Sequence, residues 1–473
     1  MSKKISALCA GLILTLSLCS CGTTEVEPIV TQENVVEDKK ITFLTNFGLS
    51  QGSNSIPIWE EEFEKQTGYA MQLDSLSGDE YYQVLDYTLA MGRAHDVVAM
   101  AEGKLPSYVV DRQLLDITEM VQSSEILSKI PEEYMKAATV DGKVYGVPVE
   151  FGGGTITYVR QDILDELGIN APKNFDEFIA MLEKIKEAYP EMIPFTAPGL
   201  VGSNNDYYMV DFYHDASPEI IEVDGKWVDG MLQDNMRAAL ERLRLAYSKG
   251  LIDPNITTNG TKEARTKFMD GKAAVFNYWA GNWNSTLQNN LTKSLGEHAL
   301  VGRMNPIKEV TYKIRPSVVL SITKNANNPE AVFEHILEYM HDDAEGSKLF
   351  QYGVEDIHYK IEGNEIVQQK GEYKISSALV TPVMAFERLE EYVFKQKPEV
   401  VASLELLKEY GEQQYNLPSS VTYITIEDEL IELKTQTISD AMVGKLTIDE
   451  ALENYKAKAE ALGMSRVLEE MNA

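Results

Sequence analysis

The stretch Tyr278-Trp279-Ala280-Gly281-Asn282-Trp283 concentrates two of the four tryptophans of the chain in six residues. Flat aromatic faces of this kind stack on the C–H faces of sugar rings, and Asn, Asp, Glu and Arg side chains hydrogen-bond the hydroxyls. Trp is also often largely buried, so core packing is the competing reading for either ring. The expectation is that one of the two belongs to the core and that at least one meets a ligand, with Tyr278, Trp279, Asn282 and Trp283 as candidates.

Other chemistries find less support. With 74 acidic residues, some pair of carboxylates could be posed as in a glycosidase, but their abundance makes such a pair uninformative. The phosphate-cradling Gly-x-x-x-x-Gly-Lys-Ser/Thr is absent. The triplet Gly152-Gly153-Gly154 lacks that lysine and reads as a hinge or a tight backbone approach. Of the six histidines, His95-Asp96 and His341-Asp342-Asp343 are followed by carboxylates, and neither has a further clustered ligand. They read as a strand start and a solvated helix end. Neither a cofactor nor a metal is called for.

The first residues set the compartment. Lys3 and Lys4 precede an apolar run from Ile5 to Leu18, which is too short for the ~20 residues of a spanning helix. It has the layout of an export signal. Leu18-Cys19-Ser20-Cys21 resembles a bacterial lipobox, in which the cysteine is acylated with diacylglycerol and becomes the new N-terminus. Residues 1–20 are then the signal and Cys21 the lipid attachment site. Cys9 and Cys19 leave with the signal, so the mature chain has neither a disulfide framework nor a thiolate metal site. The formal charge is −31, two more negative without Lys3 and Lys4. Such a chain is a poor nucleic-acid binder, and anionic lipid surfaces repel it, so the acyl anchor must hold it at the membrane. Residues 21–40 are polar and read as a flexible tether.

Strands at 40–46, 69–73 and 96–100 alternate with helices at 57–66 and 79–91, a pattern that predicts parallel pairing and an α/β sheet. Ligands bind beyond the carboxyl ends of such strands. Further on come strands at Asp141–Val149 and Thr155–Val159, and a helix opened by the cap Asn174 with Glu177. Asp224-Gly225 turns a hairpin. Helices follow at Gln233–Lys249 and Thr261–Met269, then a strand at Gly271–Phe276 that runs into the aromatic stretch. A strand at Val318–Ile322, a helix from Pro329 to about Met340 and a mostly helical end complete the chain.

Five segments resemble one family. Gly92-Arg-Ala-His-Asp-Val-Val is similar to its Gly-x-x-Pro-Asp-Val-Val, with His95 replacing Pro. Asp141-Gly-Lys-Val-Tyr-Gly-Val-Pro matches its turn and strand. Thr157-Tyr-Val-Arg-Gln-Asp-Ile-Leu-Asp-Glu-Leu-Gly-Ile, followed by Pro172 and Phe175-Asp-Glu-Phe, is similar to its strand, helix and next helix start, with Asn174-Phe175 replacing Thr-Trp. Gly271-Lys-Ala-Ala-Val with Gly281-Asn-Trp is similar to its Gly-Lys-Ala-Ala-Met and Gly-x-Trp. Tyr352-Gly-Val-Glu-Asp-Ile-His-Tyr resembles a segment of oligosaccharide-handling lipoproteins, with Asp356 replacing Gly. The family is that of the extracellular solute-binding proteins of bacterial ABC importers, in the carbohydrate-binding branch, family 1.

The resemblance implies a two-lobed α/β fold of the periplasmic-binding-protein type II, with sheets flanked by helices and a ligand cleft between the lobes. One lobe maps to residues 41–149 with 322–350 and the other to 150–321 with 351–473. The glycine triplet after Glu150 falls near the first crossing between them. By position the polar ligand contacts are Asn46, Phe47, Ser50, Gln51, Glu102, Lys104 and Glu150. The family's aromatic contact maps to Trp283, with Trp279 beside it, and Arg303 and Tyr352 complete the candidates. The implied function is non-enzymatic: a lipid-anchored monomer on the outer face of the cell membrane binds a carbohydrate, an oligosaccharide by preference, and passes it to ABC permease subunits. A same-fold binder of another solute (a peptide, polyamine or metal), a surface glycoside hydrolase and an adhesive lipoprotein are the alternatives.

Overall fold

The strand Lys40–Thr45 buries Ile41, Phe43 and Leu44 and stands second in a five-stranded sheet. The strand order is Ala70–Ser75, Lys40–Thr45, Val97–Met100, Val318–Ile322, Val147–Glu150. The first three run parallel, joined by the helices Ser55–Thr67 and Asp79–Ala90, as the alternation of patterns requires. Val318–Ile322 inserts antiparallel to both its neighbours. Asp96, at the foot of the third strand, is buried because it has three donors. Its carboxylate accepts from the Thr42 N–H at 2.8 Å, the Thr42 hydroxyl at 2.7 Å and the Asn327 N–H at 3.0 Å. The computed structural model describes residues 39–46, 55–76, 79–100, 104–150, 152–202, 207–342, 344–363, 365–369 and 397–473.

A second sheet has the order Val301–Met304, Thr155–Arg160, Ala273–Trp279, Ile193–Thr196. Thr155–Arg160 is antiparallel to both its neighbours, and the last two strands are parallel. The helix Phe175–Ala188 is capped as its sequence predicts, with the Glu177 N–H donating to Asn174 Oδ1 at 3.0 Å. The reciprocal bond falls one residue early, from the Lys173 N–H to Glu177 Oε2 at 2.9 Å. The hairpin Ile220–Val223 with Lys226–Asp229 turns through Asp224 and Gly225, both at positive φ, which suits the twist of the paired strands.

Each sheet has its own apolar core. One is built from residues 41–149 and 319–350. The other is built from residues 156–314 and from the C-terminal helices Pro398–Tyr410, Val421–Met442, Ile448–Leu462 and Met464–Met471. Among the described residues, no helix is long and apolar enough to cross a membrane.

The aromatic stretch departs from the sequence reading. The strand expected at Gly271–Phe276 continues to Trp279, and a helix begins at once with Asn282. The aromatic stretch is therefore a strand end and a helix start joined by Ala280 and Gly281. The expected strand stops just short of Asn277. That residue is fully buried, and its amide donates to Thr157 Oγ1 at 3.3 Å on the neighbouring strand. The same hydroxyl donates to Asp211 Oδ2 at 2.6 Å.

Candidate functional site

The two cores are joined where residues 152–154 pass residues 313–317. Gly154 and Ile314 form an isolated antiparallel bridge. The Arg315 N–H donates to Gly153 O at 2.9 Å, and the Ala280 N–H to Gly154 O at 2.9 Å. Gln413 Nε2 donates to Arg315 O at 2.9 Å. The contact is too close for side chains. A Cβ on Gly152 would lie 2.2 Å from the carbonyl oxygens of Arg315 and Pro316, and one on Gly154 would lie 2.4 Å from Lys313 O. Gly153 stands at φ +69°. The triplet is thus a close-packed crossing of two strands.

Trp279 stands at this crossing. It ends its strand opposite Thr155, beside Gly153, where a Cβ would be 3.6 Å from its ring. The Arg315 guanidinium lies 4.1 Å from the ring centroid. Its orientation is fixed by an Nε–H bond to Gly152 O at 3.1 Å. Strand alternation sends Tyr278 the other way, into the core, where it stacks on Phe276 at 4.8 Å and Phe276 stacks on Phe268 at 5.4 Å. Trp283, in the first turn of the helix Asn282–Leu295, is half-buried and meets Tyr278 edge-on at 5.1 Å. The Arg265 guanidinium lies 4.6 Å from the Trp283 centroid and donates from Nη1 to the Tyr278 hydroxyl at 2.9 Å. Asn282 is exposed beside it.

The remaining candidates are dispersed. Phe47, Ser50, Gln51 and Glu102 lie outside the described residues, as does the side chain of Glu150. Asn46 is half-buried at the end of the first strand, and its Oδ1 accepts no hydrogen bond among the described residues. Lys104 precedes the helix Leu105–Val110 and reaches to 3.7 Å from Glu427 Oε2 on the C-terminal helix Val421–Met442. It lines a cavity of about 550 Å³ with Tyr82, Asp86 and Tyr108 on one side and Ile424, Glu427 and Asp428 on the other. The Tyr108 hydroxyl donates to Asp86 at 2.7 Å; burial, and then that carboxylate, hold its pKa well above the usual phenol range. Arg303 donates to Asn284 Oδ1 at 2.9 Å. Tyr352 ends its helix against Tyr359, with ring centroids 5.7 Å apart. The structure thus leaves Trp279 at the crossing and turns Tyr278 into the core, where Trp283 meets it with Asn282 exposed alongside, while Lys104 lines the cavity between elements of both cores.

Three residues at this end of the second sheet carry no local sequence signal: Arg265, Arg315 and Tyr207. The Tyr207 carbonyl takes the Thr155 hydroxyl. Arg265 comes from a helix and Arg315 from the residue after the strand Tyr312–Ile314, both well separated in sequence from the tryptophans they cover. Among the described residues, no group of three His, Cys, Asp or Glu could hold a metal. His95 and Asp96 turn to different partners, with His95 Nε2 2.7 Å from Asp74 Oδ2.

Two cores linked by crossing strands, with an aromatic side chain at the crossing, define a class. The chain belongs to the bacterial extracellular solute-binding protein family, whose sequence profile matches residues 49–338. It is 21% identical over 442 residues to the polygalacturonan/rhamnogalacturonan-binding protein YtcQ of Bacillus subtilis (strain 168), covering 87% of this chain and 86% of that one. It is 24% identical over 317 residues to the fructooligosaccharide ABC transporter substrate-binding protein FusA of Streptococcus pneumoniae serotype 4, covering 59% and 58%. Among solved structures it resembles the HMO-binding, ABC-transporter-associated solute-binding protein of Bifidobacterium longum infantis, with a TM-score of 0.69 and 15% identity over 92% of this chain and 97% of that one. The alginate-binding protein AlgQ2 is similar, with a TM-score of 0.64 and 16% identity over 92% and 97%. These structural likenesses show the two-lobed solute-binding fold. The family and these neighbours are substrate-binding proteins.

Proposed function

We propose that the chain is an exported receptor, lipid-anchored through Cys21, that captures an oligosaccharide between its lobes and delivers it to an ABC permease. The observation that carries this reading is Trp279 beside the Gly152–Gly154 crossing: an aromatic face stands where the two lobes join. The names of the relatives, which bind polygalacturonan, rhamnogalacturonan or fructooligosaccharides, support a carbohydrate.

In this reading the lobes comprise residues 41–149 with 322–350 and residues 150–321 with 351–473. The two apolar cores, which draw on nearly the same segments, support that division. Trp279 and Trp283 stack on sugar rings. Asn46, Asn282 and Lys104 hydrogen-bond hydroxyls, together with the residues of the loops after the first and third strands. A ligand touching both lobes binds the closed form more tightly and so selects it; the permease then reads closure. The chain itself makes and breaks no covalent bond.

A thermal-shift screen against mono- and oligosaccharides tests this, because a ligand that binds only the folded state raises the unfolding midpoint. At least one oligosaccharide should raise it in a concentration-dependent way. A flat response to every sugar would sink the reading.

A further inference from the structure

Both tryptophans of the aromatic stretch carry a guanidinium on the ring, but the two arginines are bound into the fold differently. Arg315 is held at the crossing by its own N–H to Gly153 and by Nε–H to Gly152. Arg265, on the helix Thr261–Met269, is held by aromatic contact. It lies 4.6 Å from the Trp283 centroid and 6.0 Å from that of Tyr278, and gives one hydrogen bond to the Tyr278 hydroxyl.

Arg265 also has no carboxylate within ion-pair distance among the described residues. The chain has 74 acidic residues against 43 basic ones. Its other buried or half-buried arginines find oxygens within the fold. Arg160 pairs with Asp162, Arg242 donates to the Phe212 and Tyr213 carbonyls, Arg244 to those of Ala441 and Leu446, and Arg303 to Asn284. A guanidinium has five N–H donors in a planar fork, and one of those on Arg265 is used. Stacking occupies the face of the group and leaves the in-plane donors available for a bidentate anion.

We propose that Arg265 selects a sugar bearing a carboxylate. One ring of an acidic oligosaccharide lies along the exposed part of Trp283, and its carboxylate takes the Arg265 fork. The inference rests on the sugar-receptor reading above and narrows its substrate class to uronic-acid oligomers. The net charge of −31 opposes an anionic ligand at long range, so an oriented local cation is what such a ligand requires. The aromatic pair fixes that cation before the ligand arrives, which reduces the ordering cost of binding.

Calorimetric titration of the full mature chain with trisaccharides of galacturonate and of mannuronate, each as free acid and as methyl ester, tests this. At least one free acid should bind, and its ester should bind about ten- to a hundredfold more weakly, the scale of a charge-assisted hydrogen bond. Arg265→Met should bring the acid down to the level of the ester, so that acid and ester no longer differ. Arg265→Lys, which keeps the charge but not the fork, should fall between them. Esters that bind as tightly as acids, or acid binding unchanged in Arg265→Met, would overturn the assignment. If the free acids fail while neutral oligosaccharides bind wild type and Arg265→Met alike, the carboxylate inference falls and the sugar-receptor reading stands. If neither acids nor neutral sugars bind, both fall.

Discussion

Lys104 Nζ stands 3.7 Å from Glu427 Oε2, an ion pair that joins the start of the helix Leu105–Val110 beside the first core to a helix of the second. Both side chains are roughly a third exposed, so the pair is worth no more than about 0.2–1 kcal/mol. That is enough to bias the lobe closure proposed above. Glu427→Gln should weaken sugar binding by about two- to fivefold, and added salt should narrow the difference from wild type. Calorimetry at two ionic strengths checks this. An unchanged affinity at low salt would show that the pair does not bear on closure.

Trp283→Ala removes the half-buried indole next to Arg265 and should cost about 1–3 kcal/mol of sugar affinity, the scale of one aromatic contact. Titration with the sugar that gives the largest thermal shift measures it, and equal affinity would remove Trp283 from the site.

At the crossing, Gly152→Ala drives a methyl group to 2.2 Å from two backbone oxygens. Backbone cannot yield as a side-chain tip can, so the strands must part. A loss of about 1–3 kcal/mol in stability is expected, read as a lower urea midpoint. Gly168→Ala is the comparison. Its Cβ would meet nothing within 4 Å, so only its positive φ opposes the change.

Asp211 is fully buried in the second core with one oxygen unpaired among the described residues, and burial raises its pKa from 3.8 to about 6. The folded state therefore holds this proton more tightly than the unfolded chain does. The stabilising effect is complete below the unfolded pKa and is lost as pH rises through about 6. Asp211→Asn keeps an acceptor for Thr157 and carries no charge. It should raise the unfolding midpoint at pH 7.5, with the gain shrinking below pH 5. A gain independent of pH would show that charge burial is not its cause.

Cys21→Ala should prevent acylation. In a cell with a single membrane the receptor should then appear in the medium, still able to bind sugar. Phase partition in a cloud-point detergent distinguishes the forms, and a variant that remains with the membrane would refute the anchor.

The local parts of this fold are written in local sequence. The alternation of strand and helix from Lys40 to Met100, the Asn174 cap and the Asp224-Gly225 turn each depend on residues a few positions apart, and the structure has all of them. The aromatic stretch was legible in composition but not in geometry. Asn277 breaks the apolar run, and the distant Thr157, paired with it across the sheet and itself bonded to Asp211, accommodates it in the strand. Sequence reading therefore grouped Tyr278 with the site, while the pleat turns it into the core. The arginines were illegible for the same reason. Nothing near Trp279 or Trp283 announces that residues 315 and 265 will cover them, because those contacts exist only once the sheet has paired.

The second core is closed by residues 400–471 packing onto residues 156–314, and the strand Gly411–Gln413 pairs with Tyr312–Ile314 at the crossing. A ribosome must therefore release almost the whole chain before this half of the protein can be finished. Until then its apolar surface stays exposed to chaperones and to the export machinery. With residues 1–20 acting as the proposed export signal, this order of synthesis favours a precursor still unfolded enough to be threaded across the membrane. It also means that a premature stop anywhere before the last helices would cost the cell the entire second half, not merely a tail.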